Sequence, residues 1–141
     1  MGGNMKLPLE GIRVIDWTIW MAGPLAASML GDLGADVIKI EQRLVGDPRR
    51  GRTAMLDGSA RTIGPGREHL FECHNRNKRG MVLDVKKERG RNIIYKMVES
   101  ADVFIQNFRL GVAERLGLDY QTLSQYNPKL IYANLTGYGP K

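Results

Sequence analysis

Cysteine and long apolar runs are nearly missing from this chain of 141 residues. Cys73 is its single cysteine, which excludes an intrachain disulfide and a cysteine-rich zinc module. Because one cysteine forms no intrachain disulfide, we expect a reducing, cytoplasmic location. Cys73 and His74 are too few ligands for a metal site, so we expect no metal. No run approaches the roughly 18 apolar residues of a membrane helix, and residues 1–8, which we expect to be a flexible N-terminus, lack a signal-peptide pattern. We expect no membrane partner.

The composition is otherwise ordinary for a globular domain. Apolar residues make up 43% and charged residues 26% of the chain, which excludes general disorder and low-complexity classes. The length suits one domain or a portion of a larger one. Lys and Arg number 21 against 15 Asp and Glu, a net charge of +6. A basic surplus suits an anionic partner, and composition alone does not choose between nucleic acid, an acidic lipid surface and a phosphorylated cofactor.

Alternating strand and helix patterns predict an α/β fold. A β-branched run predicts a strand at 11–17, and a helix follows at 24–33 with Pro24 at its first position and Gly34 after its end. A long surface excursion is expected over 42–68. The other predicted strands cover 36–41, 79–85, 101–106 and 129–135, and the other helices cover 88–100, 111–116 and 120–125. This alternation predicts a mostly parallel sheet flanked by helices.

Ligands of such sheets bind beyond the carboxyl ends of the strands. The segment Met21-Ala22-Gly23-Pro24 follows the first strand and opens a helix, whose free amides attract phosphate. A plain tight turn explains the segment equally well, because only one glycine of a dinucleotide fingerprint is present.

Basic side chains form further candidate sites. The clusters are Arg43, Arg49, Arg50 and Arg52, and then Arg76, Lys78 and Arg79. Arginine forks match phosphate oxygens, although a charge run by itself is more often a solvated face. Phe108 and Arg109 follow a predicted buried strand and could bracket an adenine and a phosphate, or could equally be a core ring and a surface cation. Few aromatics interleave with these charges and no nucleic-acid-binding signature is present, so we expect no nucleic-acid partner.

Short motifs follow one another from residue 9 to the end of the chain. They are LEGIRVID at 9–16, AGP at 22–24, LGADVIKIE at 33–41, GDPRRG at 46–51, NKR at 77–79, NFR at 107–109, RLGL at 115–118, NPKLIY at 127–132 and TGYG at 136–139. In this order and spacing they resemble the family III CoA-transferases, also called the CaiB/BaiF family.

The resemblance implies a fold and an activity. Residues 9–141 would be the N-terminal portion of a Rossmann-like, CoA-binding large domain, in an enzyme with a second, small domain and two interlocked chains. The implied enzyme moves CoA between an acyl-CoA and a carboxylic acid, through mixed-anhydride and thioester intermediates on a catalytic aspartate. In the family this aspartate follows the TGYG segment, so we expect it beyond Lys141, no catalytic residue within the chain, and no activity from this stretch alone.

The resemblance also implies which residues contact CoA. The matching positions are Met21, Ala22, Gln42, Arg43, Leu83, Lys86, Asn107, Phe108, Arg109 and Arg115. Met21 stands where some transferases carry Gln, and Gln42 stands where Arg is common, so we expect the neighbouring Arg43 to supply the missing charge. An α-methylacyl-CoA racemase of the same family and a non-catalytic basic binding module remain the alternative functions.

Overall fold

The computed structural model describes residues 6–50, 62–65 and 67–139. Its strands are β1 (Arg13–Trp17), β2 (Asp36–Glu41), β3 (Lys78–Val82), β4 (Val103–Gln106) and β5 (Ile131–Asn134). Its helices are α1 (Ala22–Asp32), α2 (His69–His74), α3 (Glu88–Val98), α4 (Val112–Arg115) and α5 (Tyr120–Leu123). All strand pairings are parallel, in the order β3-β2-β1-β4-β5. The predicted α/β fold with a parallel sheet is confirmed.

The sheet separates two apolar cores. On one face Val14 and Val37 pack with Ala27 of α1. On the other face Phe104 packs with Ile94 of α3 and with residues of α4 and α5. Successive residues of a strand point to opposite faces, so both faces of the central strands are apolar. Near-continuous apolar strands are typical of parallel sheets covered on both sides.

Strand β1 lies where the strand order reverses. The chain proceeds from β1 to β2 and β3 on one side, and then returns to β4 and β5 on the other. The loops that follow β1 and β4 therefore diverge and leave a crevice at the carboxyl edge of the sheet, where ligands of open α/β folds bind.

Several element boundaries differ from the sequence predictions, and one helix was not predicted. Helix α1 begins at Ala22 rather than at Pro24, and the missing N–H of Pro24 does no harm because the first four helical amides have no acceptor within the helix. Strand β3 ends at Val82 rather than at 85, because its last pairing with β2 is that of Val82 with Glu41. The six-residue helix α2 was not predicted, although Glu68 caps it by accepting the Phe71 N–H at 2.6 Å.

Of the predicted excursion over 42–68, residues 51–61 and 66 lie outside the described residues. Within the described ranges, no helix combines the length and apolar character needed to cross a membrane.

Candidate functional site

A largely apolar pocket of about 260 Å³ lies at the carboxyl edge of the sheet. Trp17 and Ile40, at the ends of β1 and β2, line it together with Phe108 from the turn after β4. Helix α4 adds Val112 and Leu116, the residue that follows its last turn. The rings of Trp17 and Phe108 pack with their centroids 4.2 Å apart. A pocket with these walls suits a flat, weakly polar ring.

Four of the ten residues implied to contact CoA line this pocket: Gln42, Leu83, Lys86 and Phe108. They follow β2, β3 and β4, so the parallel sheet gathers residues that are far apart in the sequence. Lys86 is exposed and forms no ion pair with another described residue. Its ammonium group is therefore available to an anionic group bound at the pocket mouth.

A second, more open pocket of about 420 Å³ adjoins the first at Phe108. Asn107 and Arg109 line it after β4, and residues 135–139 line it after β5. Arg109 is exposed and forms no ion pair with another described residue. The two pockets together form an extended surface with one apolar end and free cations along it.

The side chain of Asn107 is engaged by the protein itself. Its Oδ1 accepts the Ile19 N–H at 2.9 Å, and its Nδ2 donates to the Ile19 carbonyl at 2.8 Å. The sequence resemblance implies a CoA contact for Asn107, whereas the structure shows it holding the loop after β1 against the end of β4.

Four further residues implied to contact CoA lie outside the lining of both pockets: Met21, Ala22, Arg43 and Arg115. All four are exposed. Met21 is the N-cap of α1 and supplies no side-chain hydrogen bond to the helix, so the first amides of α1 lack a side-chain cap.

Sequence analysis missed a buried network of charges that runs from the face of the sheet beneath α1 to the pocket wall at Asp47. Lys39 and Asp47 lie 3.0 Å apart, and Lys78 and Asp16 lie 2.7 Å apart, with all four side chains at most 2% exposed. Lys78 Nζ also donates to the Pro24 carbonyl at 2.7 Å. Burial lowers the pKa of Lys78, and the charge of Asp16 opposes that shift.

Most of the arginines predicted to contact phosphate pair instead with carboxylates of this chain. Arg50 forks onto Glu41 at 2.7 and 2.8 Å. The other pairs are Arg49 with Glu68, Arg76 with Asp32 and Arg79 with Asp36. These guanidinium groups pair with carboxylates, while the side chains of Arg50, Arg76 and Arg79 stay exposed to water, at 50%, 41% and 66%, in keeping with the solvated basic face. The phosphate interpretation stays a prediction. Arg52 lies outside the described residues.

Glu41 shows how such a pair works in a nearly buried position. Burial by itself would raise its pKa, but hydrogen bonds from Arg50 and from the Asp47 N–H, with the Arg50 charge, bring the pKa below its ordinary value. Glu41 is therefore held ionised at the end of β2, beside the pocket that it helps to line. In the described ranges, no group of three or more His, Cys, Asp or Glu is arranged to hold a metal ion.

Comparison with known proteins gives consistent matches along almost the whole chain. The model of CoA-transferase family III matches residues 9–141. The chain is 40% identical over 136 residues to an acyl-CoA transferase of Fusarium pseudograminearum, covering 93% of this chain and 29% of that protein. It is 41% identical over 138 residues to the succinate–glutarate CoA-transferase of Agrobacterium fabrum, covering 96% of this chain and 34% of that protein. The chain thus spans about a third of the length of these curated relatives.

Solved structures agree with the sequence matches. Rv3272 from Mycobacterium tuberculosis superimposes with a TM-score of 0.84 at 39% identity, covering 97% of this chain and 37% of that one. A CaiB/BaiF family protein from Brucella suis superimposes with a TM-score of 0.83 at 38% identity, covering 96% of this chain and 36% of that one.

Proposed function

The chain belongs to CoA-transferase family III, and on this premise we propose that it supplies the CoA-binding part of an enzyme that transfers CoA from an acyl-CoA to a carboxylic acid. The observation that carries the proposal is the apolar pocket that Trp17 and Phe108 help to line, with the free cations Lys86 and Arg109 beside it. CoA presents the matching groups, which are a flat adenine ring and negatively charged phosphates.

The size of the pocket supports a bound ring rather than a whole cofactor. Its volume of about 260 Å³ lies below the roughly 300–1,000 Å³ of pockets that enclose drug-sized ligands. We propose that the adenine occupies this pocket, packed against Phe108, and that the rest of CoA runs along the open second pocket. Arg109, Arg115 and Lys86 would then face the phosphates, and Gln42 would contribute a hydrogen bond without a charge.

The names of the relatives favour transfer to a small carboxylic acid. They include a succinate–glutarate CoA-transferase, the alpha subunit of a succinyl-CoA–L-malate CoA-transferase and a formyl-CoA:oxalate CoA-transferase. Each name describes a transfer, which supports a transferase over a racemase for this chain. The ion pairs of Arg49, Arg50, Arg76 and Arg79 also speak against a module that binds nucleic acid through these groups.

We propose the family's chemistry for the complete enzyme. A catalytic aspartate beyond residue 141 attacks the thioester carbonyl of the acyl-CoA, the CoA thiolate leaves, and a mixed anhydride forms. The thiolate then attacks the aspartyl carbonyl of the anhydride, so that the donor acid leaves as its carboxylate and an enzyme thioester forms. The acceptor carboxylate attacks this thioester and expels the thiolate. The thiolate finally attacks the acyl carbonyl of the new anhydride, which releases the product acyl-CoA and the free aspartate. The contribution of residues 9–141 is to hold CoA so that its thiol end reaches that aspartate. We further propose a dimer of two interlocked copies in the cytosol, a reducing compartment in which the exposed Cys73 thiol stays unpaired.

A kinetic comparison tests the CoA site. The native-length protein is assayed for transfer of CoA from succinyl-CoA to a small dicarboxylate. Phe108→Ala is expected to raise the KM for the acyl-CoA about two- to tenfold with little change in kcat, since a ring contact contributes about 0.5–1.5 kcal/mol.

Tyr126→Ala is the matched control, because the Tyr126 ring stacks on Tyr95, with centroids 4.5 Å apart, outside both pockets. Its KM should equal that of the unmodified protein. Exchange of the α-proton of a 2-methylacyl-CoA without any CoA transfer would contradict the transferase proposal and favour the racemase.

A further inference from the structure

The loop after β1 is held at three consecutive residues by three side chains. Lys39 Nζ donates to the Thr18 carbonyl at 2.9 Å. Asn107 bonds both backbone groups of Ile19. The Trp20 N–H donates to Asp47 Oδ1 at 3.2 Å. These side chains come from β2, from the turn after β4 and from the loop after β2. Their hydrogen bonds therefore fix the loop after β1 relative to the other two segments at the pocket, the loop after β2 and the turn after β4.

Trp20 is the strained residue of this loop. Its φ is +72°, in the left-handed region that bulky side chains rarely adopt, and Asn77 is the one other non-glycine residue with positive φ in the described part of the chain. Such a conformation persists only where the surroundings enforce it. Trp20 directly precedes Met21, the N-cap of α1. The bond to Asp47 is placed to enforce this conformation.

Asp47 is buried and has polar contacts with several neighbouring residues. It is 1% exposed, and its ion pair with Lys39 balances its charge. Its Oδ1 also accepts the Arg49 N–H at 2.9 Å, and its own N–H donates to Glu41 Oε2 at 2.9 Å. Gly46, Asp47 and Pro48 line the apolar pocket. One carboxylate thus couples the pocket wall to the strained residue before α1.

We propose that Asp47 is a positioning residue for CoA binding, which acts by holding Trp20 in its left-handed conformation and the wall at residues 46–48 against the loop after β1. This proposal rests on the proposed function, since CoA is the ligand whose affinity it sets. Asp47 itself need not touch CoA. Lys39 supports it by neutralising the carboxylate and by gripping Thr18.

The test compares CoA dissociation constants of native-length variants by calorimetry. Asp47→Ala is expected to weaken CoA binding about tenfold. Adding Trp20→Asn to that variant should recover a large part of the loss, because asparagine tolerates the left-handed region without an enforcing contact. Asp36→Asn is the matched control, since Asp36 is also an ion-paired carboxylate but lies at the start of β2, at the far edge of the sheet from Asp47. Its CoA affinity should not change.

Two results would overturn the proposal: unchanged affinity in a folded Asp47→Ala protein, or a loss that Trp20→Asn does not reduce. If Asp47→Ala does not fold, the double variant Lys39→Met/Asp47→Leu replaces it in the same comparison, because it removes the acceptor of the Trp20 N–H without leaving an unpaired buried charge.

A second readout needs no ligand. Hydrogen exchange at the Trp20 amide should accelerate in the Asp47 variant and stay unchanged in Asp36→Asn. Unchanged exchange would overturn the positioning role whatever the protein binds. Failure of the unmodified protein to bind CoA, with accelerated exchange in the variant, would instead overturn the proposed function and leave the role of Asp47 in the loop standing.

Discussion

At the scale of single residues, ion pairs with carboxylates fix the positions of several arginines. Glu41 is 7% exposed and is met by the Arg50 fork, which also lies 3.8 Å over the Phe71 ring. Asp36 is met by Arg79 in a pair of similar geometry, but there both side chains are exposed, at 39% and 66%. The same chemical pair therefore has different energetic weight in the two places, since water already solvates the second carboxylate.

This difference predicts unequal costs for two matched substitutions. Arg50→Met leaves a nearly buried carboxylate without its main donor, and should reduce the free energy of unfolding by about 1–3 kcal/mol at pH 7. Arg79→Met exposes Asp36 to water and should cost less than about 1 kcal/mol. Urea denaturation of both variants measures the two values, and equal costs would contradict the account.

The pH dependence of the Arg50 effect follows from the lowered pKa of Glu41. A carboxylate with a lowered pKa in the folded state contributes stability above its unfolded pKa, about 4.3, and loses it as the pH falls through the folded pKa. The difference between Arg50→Met and the unmodified protein should therefore shrink as the pH is lowered below about 4.

Single residues also show what the sequence could and could not predict. The family motifs placed Phe108 and Lys86 among the CoA contacts, and the structure brings both to one pocket, although their contact with CoA stays a prediction. The pairing of Lys39 with Asp47 was missed. A buried lysine in a strand carries no periodic signal, and its partner lies in a loop whose path only the folded chain defines.

At the scale of secondary structure, periodic patterns predicted the elements and tertiary contacts fixed their ends. The central strands β1, β2 and β4 were recognised from β-branched runs because both of their faces are largely buried. Helix α2 was missed because its six residues are too few to show a helical period, and its Phe71 is held from outside by Arg50. Strand β3 stops at Val82 because its partner β2 stops opposite it at Glu41, which no local pattern encodes.

Helix α3 makes one close approach that can be tested. A Cβ at Gly90, in its first turn, would lie 2.2 Å from the Asp84 carbonyl oxygen, whereas a Cβ at Gly80 in β3 would meet nothing within 4 Å. Asp84 lies between Leu83 and Val85, which both line the apolar pocket. The spacing of α3 from this loop therefore sets one wall of the pocket.

Gly90→Ala should destabilise the protein by about 1–3 kcal/mol through overpacking and should weaken CoA binding. Gly80→Ala should change stability by no more than about 1 kcal/mol and leave CoA affinity as it is. Thermal unfolding and CoA titration of both variants check this. Normal stability and affinity in the Gly90→Ala protein would contradict this, because the loop after β3 would then move away from the added methyl group without cost.

At the scale of the whole molecule, the parallel sheet performs two tasks at its carboxyl edge. The apolar pocket lies on the face covered by α3 and α4. The buried side chains of Asp16, Lys39 and Lys78 lie on the face covered by α1. Asp16 and Lys39 are partners in the register of β1 and β2, so the sheet itself brings the two ion pairs together. The fold class was predictable from alternating patterns, whereas this network depends on register and on loops.

The chain also spans about a third of the relatives it matches, 29% and 34% of two of them. The role proposed for the site described above is therefore to hold CoA, and the chemical step is not assigned to it. The central claim is accordingly that CoA binds at the carboxyl edge of this sheet, in the pocket beside Phe108.

The most direct measurement is the CoA affinity of a native-length protein in which a large side chain fills that pocket. Val112 lines the pocket from α4, so Val112→Trp should place an indole where the adenine would lie. Ile93→Trp adds the same ring on α3, in a cavity shared with Arg13 and Ser100 and apart from the pocket. The account predicts that Val112→Trp reduces CoA affinity at least tenfold and that Ile93→Trp leaves it unchanged. Undiminished CoA affinity in a folded Val112→Trp protein would contradict it.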